Sequence, residues 1–194
     1  MKHVSSANPF PREKTLAKVF EFAQHCHWGQ KRKDGLPYIV HPIAVAKMLR
    51  KAGYGDEVVA AGFLHDVLED TGCELEDLEK RFGKKITKIV VEVTDKDKTV
   101  RWKKRKLNYL NNLKKASRAA LAVACADKAD NIESFLLAYE KEGERFRSLF
   151  GGKAKERIKN YENIFFLIQT RYPSCPLLEA YQGRLARMKT LFKF

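Results

Sequence analysis

The sequence predicts an all-α fold of about eight to ten helices. Apolar residues recur at helical spacing along most of the 194-residue chain, and the apolar–polar alternation typical of β-strands is hard to find. Glycine and proline residues divide this pattern into segments of helical length. The longest apolar run, AALAVACA at 119–126, is too short to cross a membrane and is interpreted as part of a buried helix.

Turn and capping residues set the predicted helix boundaries. Gly29 can end the first helix, and Asp56 can cap the helix that carries GFLHDVLEDT. Gly83 and Gly151-Gly152 are predicted to separate neighbouring helices. Apart from the helix that carries GFLHDVLEDT, the predicted helices span 12–28, which is the first, then 42–52, 74–82, 84–93, about 117–139, 153–171 and the residues after Pro176.

The domain organisation is predicted to be simple, because the chain has no internal repeat and no low-complexity linker. We expect a single domain over 1–194, with the motif-bearing core at about 12–140. The remaining segment, about 141–194, is expected to be a helical extension that can be loosely attached.

The chain is strongly basic, with 38 Lys and Arg residues against 24 Asp and Glu residues and a net charge of +14. This balance attracts polyanions in general, including nucleic acids, anionic lipids and phosphorylated metabolites. The four cysteines are far apart without a CxxC pair, and the first residues lack the apolar segment of a secretory signal. We therefore expect a reduced, cytoplasmic protein without a membrane segment.

Four candidate metal ligands lie in apolar helical surroundings where solvated charge is not expected. His65 and Asp66 lie between AAGFL and VL, Asp127 follows AALAVACA, and His41 opens another helix. A buried carboxylate without a partner is costly, and one divalent cation would satisfy all four side chains together. Two imidazoles with two carboxylates favour Mn²⁺, Fe²⁺ or Zn²⁺ over Ca²⁺ and Mg²⁺.

Two further carboxylates follow on the same predicted helix. At a spacing of four residues, Glu69 lies beside His65 and Asp70 beside Asp66, where they could hold or deprotonate a hydrolytic water. The alternative from spacing alone is a core histidine bonded to a backbone carbonyl, followed by an ordinary solvated helix end.

Two basic clusters are candidate anion sites. The first precedes His41, and its Arg32 could stack on a base or bind a phosphate through two parallel hydrogen bonds. The second is large enough for several phosphates, although most members of such a run usually form a solvated face. Its residues are Lys96, Lys98, Arg101, Lys103, Lys104 and Arg105.

The order of four motifs resembles a known family. GQKRKDGLPYIVHPIAVA, AAGFLHDVLEDT, RFGKKI with EVTD, and ADKADN lie between about residues 23 and 135. They are similar to the HD-domain phosphohydrolases, and more closely to the hydrolase domain of Rel/SpoT proteins. Because the chain ends about 60 residues after ADKADN, it resembles a stand-alone small alarmone hydrolase, similar to the metazoan SpoT homologue.

The resemblance implies a single HD-type helical bundle with a Mn²⁺ site and a nucleotide pocket. The implied metal ligands are His41, His65, Asp66 and Asp127, and the residues acting on water are Glu69 and Asp70. The implied substrate-binding residues are Arg32, Lys33, Tyr38, Lys98, Arg101, Asn131 and Ser134. Ala129 and Ser134 differ from the residues common in relatives, and both positions are expected to border the nucleoside.

The implied reaction removes the 3′-pyrophosphate from guanosine tetra- or pentaphosphate and leaves GDP or GTP. The same chemistry on an adenine alarmone, a nucleoside monophosphate or the 2′-phosphate of NADPH is the first alternative. A basic nucleic-acid-binding module is the second, and it is disfavoured because neither a recognition helix nor an aromatic stacking platform is evident. The expected partner is a small nucleotide, and a homo-oligomer is compatible with the sequence.

Overall fold

Helices make up the fold, as expected from the sequence. The computed structural model describes residues 6–32, 35–95 and 99–192, without the side chains of 144 and 147–153. Within these ranges the only β-type pairing is an isolated bridge between Lys31 and Pro37, so the all-α prediction is confirmed. The described helices are α1 (Lys14–Cys26), α2 (Val40–Lys51), α3 (Asp56–Leu64), α4 (Val67–Asp70), α5 (Leu75–Val93), α6 (Trp102–Leu113), α7 (Arg118–Glu142), α8 (Glu144–Arg171) and α9 (Leu178–Phe192).

Helix α7 is the centre of the bundle. Its first two turns, which contain AALAVACA, are almost entirely buried, and α2, α3, α5, α8 and α9 pack around it. A helix that is apolar on all sides needs such a central position. The Ser117 side chain caps its N-terminus by accepting a hydrogen bond from the backbone N–H of Ala120. Asp127, three turns along, is thereby placed in the interior.

The C-terminal helices belong to the same core. Ile164 and Ile168 of α8 and Tyr181 and Met188 of α9 are fully buried and share one apolar cluster with α7. The described part of the C-terminal extension is therefore packed rather than loosely attached. None of the described helices combines the length and the apolar composition needed to cross a bilayer.

The structure corrects three predicted boundaries. Gly55, not Asp56, precedes α3, and the Asp56 carboxylate pairs with Arg50 instead of capping the helix. Helix α8 runs through Gly151-Gly152, because buried residues on both sides, including Ala154, hold it against the core and override the low helix propensity of glycine.

The third correction concerns the helix that carries GFLHDVLEDT, which ends at Leu64 and resumes at Val67 as α4. In a continuous helix the Gly62 carbonyl would accept the backbone N–H of Asp66. Here it lies 2.9 Å from His65 Nδ1 instead. The predicted break at Gly83 is confirmed, since that residue has φ 80° inside α5.

Candidate metal centre and active site

Three helical segments bring the predicted ligands together. His41 lies in the first turn of α2, His65 at the α3–α4 junction and Asp127 in α7, and all three residues are buried. Their candidate ligand atoms all lie within 4.8 Å of one another. The Oδ2 atom of Asp66 lies 3.6 Å from His41 Nε2 and 3.2 Å from His65 Nε2. His41, His65 and Asp127 therefore form a candidate metal-binding group, and Asp66 lies beside its two histidines.

The hydrogen bonds of the two imidazoles orient their free nitrogens toward each other. His41 Nδ1 lies 2.6 Å from Asp130 Oδ2, and His65 Nδ1 lies 2.9 Å from the Gly62 carbonyl oxygen. Because both partners are acceptors, each Nδ1 carries a proton, and Nε2 of either ring presents a lone pair once a metal ion displaces any proton bound there. The two Nε2 atoms are only 3.1 Å apart. Two facing lone pairs repel unless a cation lies against them.

The charges around this cluster favour bound positive charge. Burial lowers the pKa of His41, but the hydrogen bonds of Asp127 and Asp130 and the charges of Asp66 and Asp127 outweigh it and raise that pKa to about 9. Although burial alone would raise the pKa of Asp127, Lys128 and the two histidines hold it below its usual range. The donor set, two nitrogens and two carboxylates with oriented imidazoles, fits a divalent transition-metal ion.

Tyr38 links the metal ligand Asp66 to Asp70. Its hydroxyl lies 2.7 Å from Asp66 Oδ2 and 2.8 Å from Asp70 Oδ2. Asp70 therefore lies beside Asp66, as predicted, although the helix is interrupted at His65.

Glu69 is held by a backbone group that follows α5. Its Oε2 atom accepts a hydrogen bond from the backbone N–H of Asp95 at 3.1 Å, so this carboxylate is held toward the segment before α6. Burial, together with the charges of Asp66, Asp70 and Asp95, raises the pKa of Glu69 to about 7. A carboxyl group with such a pKa can exchange a proton near neutral pH.

A small polar cavity of about 160 Å³ lies against this cluster. Glu69 and Asp70 line it on one side, and Lys106, Tyr109 and Lys128 line another part. The remaining lining residues are Tyr38, His41, Asp66, Val93, Asp95, Asp127 and Asn131.

A second cavity of about 260 Å³ shares Tyr38, His41 and Asn131 with the first. Arg32 lines it, and its Nη2 atom donates to Ser134 Oγ at 2.8 Å. Phe135, Ala138, Phe146, Arg157 and Tyr161 complete this wall. Arg32, which is about 100 positions from Asn131 and Ser134 in the sequence, thus borders the same pocket beside the histidine–aspartate cluster.

Among the described residues, one predicted substrate residue, Arg101, does not line either cavity. Arg101 is exposed and directly precedes α6, a position suited to long-range attraction rather than to contact. Lys33 and Lys98 lie outside the described residues.

Sequence reasoning missed several residues of the site. Asp130 follows Asp127 by three residues in ADKADN, and this spacing, which places both on one helix face, is a signal that could have identified it. No comparable local signal marks Lys106 or Tyr109, which come from α6, or Arg157 and Tyr161, which come from α8.

The fold and the cluster together define a helical domain with a buried histidine–aspartate group that could hold a metal ion. The model of the HD domain matches residues 19–148, more than half of the chain, and the chain belongs to this family.

Individual relatives carry more specific names. One relative is the mouse guanosine-3′,5′-bis(diphosphate) 3′-pyrophosphohydrolase MESH1. The chain is 43% identical to it over 121 residues, which cover 60% of this chain and 67% of that protein. A pyrophosphohydrolase of the same substrate name from Aquifex aeolicus is 32% identical over 149 residues, which is 75% of this chain but 20% of that protein. The chain thus spans only a fifth of this longer relative.

A solved structure is similar over most of the chain. It is that of a metazoan orthologue of SpoT described as hydrolysing ppGpp, with a TM-score of 0.73 and 27% identity. The similarity covers 90% of this chain and 95% of that one.

Proposed function

We propose that this protein is a metal-dependent hydrolase that removes the 3′-pyrophosphate from guanosine tetra- or pentaphosphate. The observation that carries the proposal is the pair of imidazole Nε2 atoms, 3.1 Å apart, facing two carboxylates at a small polar cavity. The names of the mouse and bacterial relatives support the choice of substrate.

The proposed metal ligands are His41, His65, Asp66 and Asp127, and the proposed ion is Mn²⁺. A divalent ion at this position polarises a phosphoryl oxygen and lowers the pKa of a bound water. Asp130 and the Gly62 carbonyl orient the two imidazoles through their Nδ1–H groups.

Glu69 and Asp70 are proposed to act on the hydrolytic water. The water oxygen forms a bond to the phosphorus attached to the nucleoside 3′-oxygen, and the bond between that phosphorus and the 3′-oxygen breaks. One of the two carboxylates takes the proton from water, and the 3′-oxygen gains a proton as it leaves. The raised pKa of Glu69, about 7, suits this carboxyl group to accept and donate a proton near neutral pH.

The second cavity is proposed to hold the nucleoside. Arg32, Asn131 and Ser134 supply polar groups, and Phe135 and Phe146 supply apolar surface beside them. Lys33 and Lys98 are proposed to contact the base and a phosphate, and Arg101 to attract the substrate. A cytoplasmic location is also proposed, and the four unpaired cysteines support it.

The test is the release of pyrophosphate from guanosine tetraphosphate by purified, manganese-loaded protein. Glu69→Gln combined with Asp70→Asn should keep the metal and the substrate affinity but lower kcat by about 10²–10⁴-fold, because the proton acceptors are lost. Glu74→Gln combined with Asp77→Asn, at exposed acids around the start of α5, is the matched control and should retain kcat.

The same assay with an adenine alarmone, a nucleoside monophosphate and NADPH tests the substrate. If the protein hydrolyses one of these compounds faster, that compound would replace guanosine tetraphosphate as the proposed substrate, and the proposed metal-dependent mechanism would be retained. Wild-type kcat in the Glu69/Asp70 variant would remove these carboxylates from the mechanism.

A further inference from the structure

The hydroxyl group of Tyr109 is buried without a partner. Tyr109 is 2% exposed, and its oxygen has no hydrogen-bond partner among the described residues. An unsatisfied buried hydroxyl costs about 1–3 kcal/mol, so such groups are rare and call for an explanation. Tyr109 is one of the residues that line the small polar cavity beside the histidine–aspartate cluster. A ligand in that cavity would satisfy it.

Two lysines flank the Tyr109 ring. Lys128 Nζ lies 4.9 Å and Lys106 Nζ lies 5.9 Å from the ring centroid, and both residues line the same cavity. Burial raises the pKa of Tyr109, so its phenol stays protonated and is available as a donor. One hydroxyl donor and two ammonium groups at one place are complementary to an anion with several oxygen acceptors.

The cavity is also lined by five carboxylates, so an anion would bind beside these lysines only with the proposed divalent ion in place; they are Asp66, Glu69, Asp70, Asp95 and Asp127. Lys128 binds Asp127, and Lys106 binds Asp95, so each lysine has one carboxylate partner. An ammonium group has three hydrogens, and each lysine can therefore donate to a ligand while keeping its carboxylate. The Tyr109 hydroxyl has no competing partner at all among the described residues.

The size and position of the cavity restrict the kind of anion that it can hold. Pockets that hold drug-sized ligands are usually about 300–1,000 Å³, and this cavity has about 160 Å³. Tyr109, Lys106 and Lys128 lie in the part that the proposed nucleoside cavity does not share. A small inorganic group attached to the nucleotide, rather than the nucleoside itself, fits this part.

We propose that the Tyr109 hydroxyl donates a hydrogen bond to the pyrophosphoryl group of the substrate, and to the released pyrophosphate, between the ammonium groups of Lys106 and Lys128. The inference rests on the proposed function for the identity of the anion. Tyr109 would thereby bind the pyrophosphoryl group, which is transferred to water. It lies in α6, a helix outside the predicted motifs.

The experiment compares Tyr109→Phe with wild type in the metal-loaded protein. Calorimetric titration with inorganic pyrophosphate, with bound metal measured afterwards, should show affinity weakened by about tenfold or more, because a hydrogen bond to a charged group is lost. Affinity for GDP should stay within about twofold, since the nucleoside cavity is unchanged. Tyr54→Phe is the matched control: its hydroxyl bonds to Tyr172 and lines neither cavity.

Thermal unfolding of the metal-loaded, ligand-free proteins separates binding from a structural role. Removing an unsatisfied hydroxyl should leave the Tm of Tyr109→Phe unchanged or raise it. Unchanged pyrophosphate affinity, with or without a lower Tm, would overturn the inference, as would the absence of pyrophosphate binding by wild type. If wild type binds pyrophosphate through Tyr109 but does not hydrolyse guanosine tetraphosphate, the inference stands and the proposed function fails.

Discussion

Each histidine of the metal cluster is oriented by the partner of its other nitrogen. His65 uses a backbone carbonyl, whereas His41 uses the carboxylate of Asp130, which also lies 3.6 Å from Arg32 Nη1. A carboxylate partner adds negative charge to the imidazole and raises its basicity as a ligand. Asp130 therefore acts on the metal through His41 and on the nucleoside cavity through Arg32.

Replacing Asp130 should weaken metal binding without removing a ligand. Asp130→Asn keeps the side-chain shape but loses the charge that orients His41, and we expect metal affinity to fall by about 10–100-fold. Titration of the metal-free protein with Mn²⁺, in the absence of nucleotide, measures this effect apart from any change at Arg32. Asp56→Asn, at a half-exposed surface pair with Arg50, is the control and should bind Mn²⁺ like wild type. Equal Mn²⁺ affinity in the two variants would mean that Asp130 acts only at the proposed nucleoside cavity and not on metal binding.

At the scale of elements, the approach of α2 to α3 sets the distance between the two histidines. Gly62 of α3 faces α2, and a Cβ atom there would lie 2.5 Å from Leu49 Cδ1 and 3.4 Å from Val45 Cγ1. Leu49 and Val45 are fully buried, so neither side chain can move into open space. The absence of a side chain at Gly62 lets the helices that carry His41 and His65 pack closely.

Gly62→Ala should therefore destabilise the protein although alanine favours helix. Overpacking typically costs about 1–3 kcal/mol, which exceeds the gain of about 1 kcal/mol in helix propensity. Gly183→Ala in α9 is the matched control, because nothing lies within 4 Å of a Cβ atom there. The free energy of unfolding, measured with urea, should fall for Gly62→Ala and stay equal or rise for Gly183→Ala. A rise in the free energy of unfolding of both variants would show that α2 and α3 can move apart without a loss of stability.

At the scale of the whole molecule, a net charge of +14 acts on any anionic substrate before contact. Such attraction raises the encounter rate and weakens as salt shortens the Debye length from about 30 Å at 0.01 M to about 8 Å at 0.15 M. Arg101 is exposed at the start of α6, the helix that also carries Lys106 and Tyr109. It can therefore act on an approaching substrate without lining the cavity.

We expect kcat/KM to fall steeply with ionic strength in wild type. Lys98→Ala combined with Arg101→Ala should raise KM and flatten this dependence, with kcat within a few-fold of wild type. Lys84→Ala combined with Lys85→Ala removes the same number of charges at exposed lysines that pair with Glu79 and Glu57. An equal effect of the two variants would mean that net charge, not the cluster before α6, attracts the substrate. If salt affects neither, binding of generic RNA in a gel-shift assay is the next measurement.

Much of this protein could be predicted from its sequence, because the relevant signals are local. Helical periodicity and the apolar run before Asp127 depend on residues within a few turns of each other, and they predicted most of the helices and the burial of the helix that carries this run. The apolar surroundings of His65 and Asp66 predicted a buried, partnered pair, and both are now found beside His41 and Asp127.

Only the tertiary structure decided how those residues are arranged. The bond between His41 and Asp130 joins residues 89 positions apart, and the bond between Arg32 and Ser134 joins residues 102 apart. The break at His65 arises where a side chain takes a backbone acceptor in the packed interior. Tyr109 reaches the cavity because α6 packs against α5 and α8, which no local pattern encodes. Periodicity determines which face of a helix is buried, whereas the partner of each buried polar group depends on which helices meet there.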